Sequence, residues 1–397
     1  MSLSCVEPEP ADGPPVAPVG GMAAPGGAGP APTLADLTTL RVGGPIARYV
    51  EAHSEEEVIA AVTAADDDGV PLLVLGGGSN LLASDEAFPG TVVRDMRRGI
   101  RAESFSTCAG AAMEVPAGQP WDDVVALAVQ EEWMGVEALS GIPGTTGATP
   151  VQNVGAYGQE VAETISSVRV WDRFERRPRL FALGELQLTY RDSLLKRSLR
   201  DPAVGGGRVW GPTGRWVVLE VAFQFRLASL SAPIRYAELA RTLGVQPGDR
   251  VPSREVRAAV LELRRGKGMV LDAADHDTWS AGSFFTNPVV TAEQAATLPP
   301  DAPRFPVADH SAIHQIGGEP VAVEGLVKTS AAWLIAHAGF GKGHGLPGPA
   351  ALSTKHVLAL TNRGGATAAD LRALADEVRG GVLAAFGIDL VPEPVIL

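Results

Sequence analysis

A glutamate held between two prolines near the C-terminus, Pro392-Glu393-Pro394, has the setting that most suggests chemistry in this chain. Each proline fixes its own φ at about −65° and drives the residue before it into an extended conformation, so Glu393 has little backbone freedom. The flanking stretches 390–391 and 395–397 are apolar, which predicts a buried tail. A stiffened carboxylate of this kind suits acid–base work. The alternative is an edge strand in which the polar position happens to be a glutamate.

A glycine-rich turn, Gly76-Gly77-Gly78-Ser79-Asn80, follows an apolar strand predicted over residues 70–75. The backbone N–H groups of such a turn can point at an anion, and no side chain blocks its approach. The turn lacks the G-x-G-x-x-G fingerprint of dinucleotide-binding folds and the Gly-Lys-Ser/Thr of a P-loop. A phosphate-binding turn and an ordinary tight turn therefore both remain open.

A second stretch, residues 140–147 and 152–158, is dense in glycines, hydroxyl groups and side-chain amides. Ordering so much turn-forming sequence inside a domain is costly in conformational entropy unless the loop wraps something. This stretch predicts a ligand-cradling loop, with a purely structural loop as the alternative.

Helices and strands must position these loops. Ser54 begins a capping-box pattern, and Thr367 caps a clear amphipathic helix that ends at Gly387. A further helix is predicted over 253–265 with Ser253 as its cap. The other predicted elements are strands at 47–52, 70–75, 92–96, 105–116, 168–171 and 217–227, a helix at 121–132, a structured loop at 139–160 and a surface insertion at 201–214.

Length and composition limit the classes of protein to consider. A chain of 397 residues predicts two or three domains. The net charge of −13 argues against a broad nucleic-acid or anionic-membrane surface. Two cysteines, Cys5 and Cys108, make no disulfide framework, which fits a reducing cytoplasm. We see no signal peptide and no apolar run of membrane-spanning length, and we expect residues 1–32, rich in Pro, Ala and Gly, to form a disordered tail.

Several motifs together resemble one enzyme family, the UDP-N-acetylenolpyruvoylglucosamine reductases, from about Thr38 to Leu397. The motifs are 75–82, 141–144, 152–158, Tyr190-Arg191-Asp192-Ser193, 282–288 and the Glu393 tail. The resemblance implies an α+β molecule with a flavin-binding fold of the vanillyl-alcohol-oxidase (PCMH) type in two subdomains, plus a separate α+β substrate-binding domain. The first FAD-binding subdomain would be discontinuous and comprise residues 33–95 and 388–397. The second would comprise residues 96–228, and the substrate-binding domain would comprise residues 229–387.

The resemblance also implies an activity. Family members reduce the enolpyruvyl group on UDP-N-acetylglucosamine to give UDP-N-acetylmuramate, a peptidoglycan precursor, using FAD as cofactor and NADPH as co-substrate. Matching the motifs residue by residue, the expected FAD-binding residues are Gly76, Gly77, Gly78, Ser79, Asn80, Leu81, Ser140, Gly141, Ile142, Pro143, Gly144, Thr145, Gly147, Gln152, Asn153, Val154, Gly155 and Tyr157.

Three residues match the family's catalytic set. Arg191 would stabilise the developing enolate, because a guanidinium stays charged and can grip a carboxylate with two bonds. Ser283 would donate the proton, and Glu393 would assist the same step, either protonated or through a partner. The alternative for Arg191 is an ordinary ion pair with Asp192 or another acid.

The resemblance implies that Tyr190, Tyr236, Lys267 and Asn287 bind the substrate. Lys267 lies in a local basic cluster, 264–267, that suits a diphosphate, although a solvated helix end would look the same. The segment 267–283 and the loop 201–214 are longer than expected, and Lys355-His356 stands where some relatives carry glutamines.

The implied partners are small molecules, NADPH and the sugar nucleotide, with no nucleic acid, no membrane insertion and a monomeric cytoplasmic protein. His310 and His314 have a metal-like spacing, but no acid or cysteine completes a site, so we expect an ordinary loop. Two alternatives to the reductase remain: an FAD-linked oxidase of the same fold, and a flavin-binding regulatory protein without turnover.

Overall fold

The computed structural model describes residues 31–106, 110–309 and 321–397. Cys5, Cys108, His310 and His314, together with residues 1–30 of the predicted tail, lie outside the described residues. Among the described residues, no helix combines the length and the apolar character needed to cross a bilayer.

Helices and strands alternate along the chain in a mixed α and β order. The helices are α1 (Leu34–Leu37), α2 (Glu55–Asp67), α3 (Trp121–Gln130), α4 (Thr149–Gln152), α5 (Leu194–Arg197), α6 (Ala237–Leu243), α7 (Ser253–Gly266), α8 (Ala292–Thr297), α9 (Ala331–His337) and α10 (Ala368–Phe386). The strands are β1 (Ile46–Ala52), β2 (Leu72–Val74), β3 (Leu81–Leu82), β4 (Phe88–Asp95), β5 (Arg101–Ser106), β6 (Gly110–Pro116), β7 (Trp133–Met134), β8 (Gly155–Ala156), β9 (Gln159–Glu160), β10 (Ile165–Asp172), β11 (Arg177–Ala182), β12 (Trp216–Leu227), β13 (Val289–Thr291), β14 (Arg304–Asp309), β15 (Val321–Thr329), β16 (Ala350–Leu352), β17 (Leu360–Asn362) and β18 (Val395–Ile396).

The first sheet is parallel, in the order β1-β4-β2, and α2 packs on it. The Ser54 hydroxyl accepts a hydrogen bond from the Glu57 N–H at 3.2 Å, as the capping pattern predicts. Gly69, with φ of +64°, follows the end of α2. The glycine turn 76–80 follows β2, as the sequence predicted.

The second sheet is antiparallel, in the order β11-β10-β12-β6-β5, with β7 pairing to β12. Its core is rich in aromatic and branched side chains, and Trp121 of α3 lies 5.8 Å from Phe223 of β12, centroid to centroid. The long strands predicted at 168–171 and 217–227 are the central pair of this sheet.

Helices α6 and α7 pack against the 137–139 turn that leads into the second glycine-rich stretch. The predicted cap of α7 is wrong, because Pro252 is the N-cap and Ser253 is the first helical residue. The Ser253 hydroxyl is buried without a hydrogen-bond partner among the described residues. Since this helix pair packs on the loop of the second sheet, we propose that the central unit extends past residue 228.

The C-terminal part contains the β13-β15-β14 sheet, the β16-β17 hairpin, α9 and α10. Its apolar core also takes in Leu40, Val42 and Leu82 from the start of the chain. The last strand, β18, pairs in parallel with β3, and Pro392 bridges to Phe285. The C-terminal tail is therefore joined to residues 40–82 by a shared core and by strand pairing, which is why a tail residue can take part in a site built by distant loops.

Candidate active site

Three segments that are far apart in sequence meet at Glu393. Its backbone N–H donates to the carbonyl of Phe284 at 2.8 Å, and its carbonyl accepts from the Asn80 side chain at 3.5 Å. The Val395 N–H donates to the Asn80 carbonyl at 3.0 Å. The tail therefore lies between the first glycine turn and the Ser283 segment, and the two flanking prolines leave it few other conformations.

Two polar side chains contact the Glu393 carboxylate in the part of the chain that the structure describes. Oε1 accepts a hydrogen bond from Gln152 Nε2 at 3.0 Å and lies 3.3 Å from Arg191 Nε. Both side chains of the ion pair are only 19% exposed. Partial burial makes this pair stronger than a surface ion pair, because water screens it less.

Arg191 is held from several sides. Its Nη2 donates to the Gly155 carbonyl at 2.5 Å and its Nη1 to the Asn153 carbonyl at 3.3 Å. Burial by itself lowers the pKa of the guanidinium, but the negative charge of Glu393 and its neighbours outweighs this and raises it. Arg191 therefore remains a fixed positive charge.

The backbone of Arg191 is left-handed, with φ of +56°, which is unusual for a residue other than glycine. The Lys196 ammonium donates to the Arg191 carbonyl at 2.9 Å and supports this conformation. Asp192, the alternative partner considered for Arg191, instead pairs with Arg197 at 2.6 Å. The turn thus directs Arg191 to the tail and Asp192 to α5.

Ser283 immediately precedes Phe284, whose carbonyl accepts the hydrogen bond from the Glu393 N–H. The serine is half-buried, while Phe284 and Phe285 are each 1% exposed and meet edge to face at 5.2 Å. The Phe284 N–H donates to the Leu358 carbonyl at 2.8 Å. The two buried rings anchor the segment, so the serine backbone is fixed beside the tail.

Tyr190, Asn287 and Lys328 form a second polar group close to Arg191. The Asn287 N–H donates to the Tyr190 hydroxyl at 3.4 Å, and the Lys328 ammonium lies 4.4 Å from the Tyr190 ring centroid. Burial lowers the pKa of Lys328 and raises that of Tyr190. Sequence reasoning missed Lys328, since nothing in its local pattern on β15 sets it apart.

Asn287 also has a structural contact. Its Oδ1 accepts from the Ala331 N–H at 3.0 Å, at the first turn of α9. The side chain therefore ties the Ser283 segment to that helix.

The two glycine-rich loops touch each other at backbone distance. A Cβ on Gly77 would lie 2.7 Å from the Cα of Gly144, and one on Gly76 would lie 2.7 Å from the Thr145 hydroxyl. The Ser79 hydroxyl donates to the Pro143 carbonyl at 3.1 Å. Only glycines allow this approach, so the loops form one continuous rim of backbone amides and hydroxyl groups.

The loop 152–158 contains a buried hydrogen-bond acceptor that has no partner among the described residues. Asn153 Nδ2 donates to Glu160 at 2.7 Å and to the Thr189 carbonyl at 2.8 Å. Asn153 Oδ1 is buried and has no hydrogen-bond partner among the described residues. A buried acceptor of this kind calls for a donor from a bound molecule or water. The donors of the rim and this acceptor fit a phosphate-bearing cofactor with polar ring edges.

A second charged region surrounds Lys267. Its ammonium pairs with Glu238 and lies 5.6 Å from the Tyr157 ring centroid. Tyr236, 44% exposed, meets Tyr157 edge to face at 5.5 Å. Burial, followed by the positive charges of Lys267 and Lys342, lowers the pKa of His356 to about 4. The Lys267 ammonium and the hydroxyl groups of Tyr157 and Tyr236 therefore lie around the Glu238 carboxylate.

Arg264, from the same predicted basic cluster, is buried. Its Nε donates to the Gly141 carbonyl and its Nη2 to the Met269 carbonyl, each at 3.1 Å. Asp122 accepts from the Gly141 N–H at 2.6 Å. Arg264 therefore holds the second glycine loop in place.

Comparisons with known proteins agree with this geometry. Residues 274–397 match the family model "UDP-N-acetylenolpyruvoylglucosamine reductase, C-terminal domain", and residues 46–174 match an FAD binding domain. The UDP-N-acetylenolpyruvoylglucosamine reductase of Cutibacterium acnes is 49% identical over 92% of this chain and 89% of its own. The one from Saccharopolyspora erythraea is 51% identical over 92% and 94%.

The chain belongs to the UDP-N-acetylenolpyruvoylglucosamine reductase family. The crystal structure of the Thermus caldophilus enzyme is 24% identical and superposes with a TM-score of 0.57 over 92% of this chain and 97% of that one. This similarity shows that the two chains share a fold. The predicted family and the α+β fold with an FAD-binding domain are confirmed. The roles of individual site residues remain predictions.

We expect Gly77→Ala to weaken FAD binding at least about tenfold, since a Cβ against the Gly144 backbone must push the two loops apart. FAD content and affinity are measured by absorbance and fluorescence titration. Gly380→Ala is the control, because a Cβ there meets nothing within 4 Å. Full flavin affinity in Gly77→Ala would contradict the contact.

The low pKa of His356 predicts a pH dependence of stability. The imidazole titrates near 6.5 in the unfolded chain and at about 4 in the folded one. Between these values the unfolded chain binds more protons, so the stabilising contribution is complete above 6.5 and is lost as the pH falls to 4. We expect the free energy of unfolding to fall less steeply over this range in His356→Gln than in the wild type.

Urea unfolding at a series of pH values measures this difference. The exposed His53→Gln serves as the control. Parallel curves for wild type and His356→Gln would refute the assignment.

Proposed function

We propose that this chain reduces UDP-N-acetylglucosamine enolpyruvate to UDP-N-acetylmuramate with NADPH, a step of peptidoglycan precursor synthesis. The observation that carries the proposal is the Arg191–Glu393 ion pair, 3.3 Å apart and beside the Ser283 segment at the rim of the glycine-rich cradle. An enolpyruvyl reductase needs these three kinds of group together: a cation, a proton donor and an assisting acid.

The loops 76–81, 140–147 and 152–157 would hold FAD, with the Gln152 side chain directed at Glu393 instead. Backbone amides and the Thr145 hydroxyl suit its diphosphate, and Asn153 Oδ1, which has no partner among the described residues, suits a donor on the cofactor. Reduced FAD supplies the hydride when it is bound. The protein contributes the binding, the orientation and the charges described next.

Arg191 would stabilise negative charge on the substrate. Hydride addition to one alkene carbon leaves charge on the adjacent carbon and its carboxylate, and a positive group already in place lowers that energy most. The Arg191 guanidinium donates hydrogen bonds to the carbonyls of Gly155 and Asn153 and pairs with Glu393, which fixes its position for an anionic substrate. The ordered guanidinium needs little rearrangement during the reaction.

Ser283 would give its hydroxyl proton to the substrate carbon. A hydroxyl is a weak acid, so the transfer depends on a nearby enolate and on a fixed position. The anchoring of Phe284 to Leu358 and to Glu393 supports such a position. Gly282, with φ of +69° and open space where a Cβ would point, leaves room beside the serine.

Glu393 would assist this proton transfer. A lone carboxylate would oppose a developing enolate, but its charge is offset here by Arg191. The pair therefore supports a glutamate that works through a partner, the second of the two possibilities raised by the sequence.

The sugar nucleotide would bind toward Tyr236 and Lys267, with Tyr190 and Asn287 nearer to the reacting carbons. The cationic groups Lys267 and Lys342 support binding of a diphosphate. The acidic composition supports a protein without nucleic-acid partners. A cytoplasmic monomer is part of this proposal.

Anaerobic mixing of the purified protein with NADPH and UDP-N-acetylglucosamine enolpyruvate tests the function directly. We expect NADPH oxidation, followed by absorbance, that depends on the sugar nucleotide and yields UDP-N-acetylmuramate. Oxidation of alcohols with release of peroxide would instead indicate an oxidase. Bound flavin without turnover would indicate a regulatory protein.

We expect Ser283→Ala to lower turnover by about 100-fold or more, in line with the contribution of a positioned proton donor. Reduction of the flavin by NADPH should stay within about twofold of the wild type, because that half-reaction needs no proton on the substrate carbon. Stopped-flow absorbance separates the two half-reactions. The exposed Ser229→Ala is the matched control, and unchanged turnover in Ser283→Ala would remove Ser283 from the mechanism.

A further inference from the structure

We propose that Gln152 is a positioning residue for Glu393 in the reductase reaction. The sequence resemblance placed Gln152 among the cofactor-binding residues, whereas its side-chain contact is with the catalytic carboxylate. The inference rests on the proposed function, since it assigns Gln152 a role through Glu393.

Two donors converge on one oxygen of Glu393. Gln152 Nε2 lies 3.0 Å from Oε1, and Arg191 Nε lies 3.3 Å from the same atom. Among the described residues, no donor contacts Oε2. Because Oε1 accepts the Gln152 N–H and faces the Arg191 guanidinium, a proton taken up by the carboxyl group goes to Oε2, and Oε2 is the oxygen left for the substrate.

The backbone of Gln152 is fixed, so its amide can act as a rigid support. Gln152 ends α4, and the next residue, Asn153, turns into the left-handed region with φ of +42°. The Ser193 hydroxyl donates to the Val151 carbonyl at 2.8 Å and ties this turn to the Arg191 segment. Gln152 and Arg191, the two residues that contact Oε1, therefore belong to two loops that are bonded to each other.

A glutamine suits this role for a chemical reason. Its amide donates a hydrogen bond at any working pH and carries no charge, so it orients the carboxylate without disturbing the charge balance of the Arg191–Glu393 pair. A second cation would overcompensate Glu393, and a second acid would compete for a proton. The neutral donor fixes geometry and leaves the electrostatics to Arg191.

The test compares Gln152→Leu and Gln152→Glu in the wild-type background, and Gln152→Leu in a Glu393→Gln background. Removing the donor should lower kcat by about 10- to 100-fold, the cost of a misplaced group, with the KM for NADPH and the FAD content unchanged. In the Glu393→Gln background the same substitution should change kcat by less than about twofold, because two residues that act as one unit are not additive.

Gln152→Glu gives an independent signature. Two carboxylates at hydrogen-bond distance do not ionise independently, so the limb of the kcat–pH profile governed by the pair should move to higher pH by about one unit or more. A merely structural glutamine would lower kcat at every pH without moving the limb. A crystal structure of Gln152→Leu should show the Glu393 carboxyl group displaced, a readout that does not depend on turnover.

Gln130→Leu is the matched control, since Gln130 also donates to a glutamate, Glu131, but on the exposed surface. Additive losses in the double variant, or loss of FAD from Gln152→Leu, would overturn the inference and return Gln152 to the cofactor site. Absence of wild-type turnover in the same assay would overturn the proposed function instead. The two failures are therefore distinct.

Discussion

The site depends on the insertion of the C-terminal tail between two segments that are about 200 residues apart in sequence, at Asn80 and Phe284. The Glu393 N–H bonds to Phe284, and the Val395 N–H bonds to Asn80. These backbone bonds are the reason why one carboxylate can touch a residue of the second glycine stretch and an arginine of the 190–193 turn. Without the tail, Arg191 would lose its acidic partner, and the glycine turn would lose the strand that pairs with β3.

The core beneath the tail makes this insertion rigid. Leu40, Val42 and Leu82 pack in the same apolar cluster as Phe284, Phe285 and α10. Buried apolar contacts of this kind are close-packed and allow little displacement. The groups proposed to act on the substrate are therefore ordered before it binds, which reduces the reorganisation required in the reaction.

Close packing also constrains the glycine-rich loops. Gly77 faces the backbone of Gly144 with no room for a Cβ, and Arg264 and Asp122 fix the neighbouring Gly141. The loops are costly to order, and two charged side chains, the part-buried Asp122 of α3 and the buried Arg264 of α7, hold them in place. The cradle is thus a product of helices that lie outside the loops themselves.

Local sequence determined the elements with strong periodic or capping signals. Thr367 and Gly387 bound α10, and Ser54 caps α2, because each signal acts within one turn of helix. The cap of α7 was wrong, since Pro252 already supplies a favourable φ and Ser253 lies one residue inside. The motifs also indicated the family, the cofactor and the residue types of the site.

Only the tertiary structure decided which of those residues meet. The motifs put Arg191 and Glu393 in one expected catalytic set but left open an ordinary ion pair of Arg191 with Asp192 or another acid. In the fold, Arg191 pairs with Glu393, and Asp192 pairs with Arg197. Gln152 and Lys328 carry no local signal of their contacts, because those contacts join positions more than one hundred residues apart in sequence. Local patterns report interactions within a few residues, whereas hydrogen bonds between distant segments are set by the packing of the core and the return of the chain end to β3.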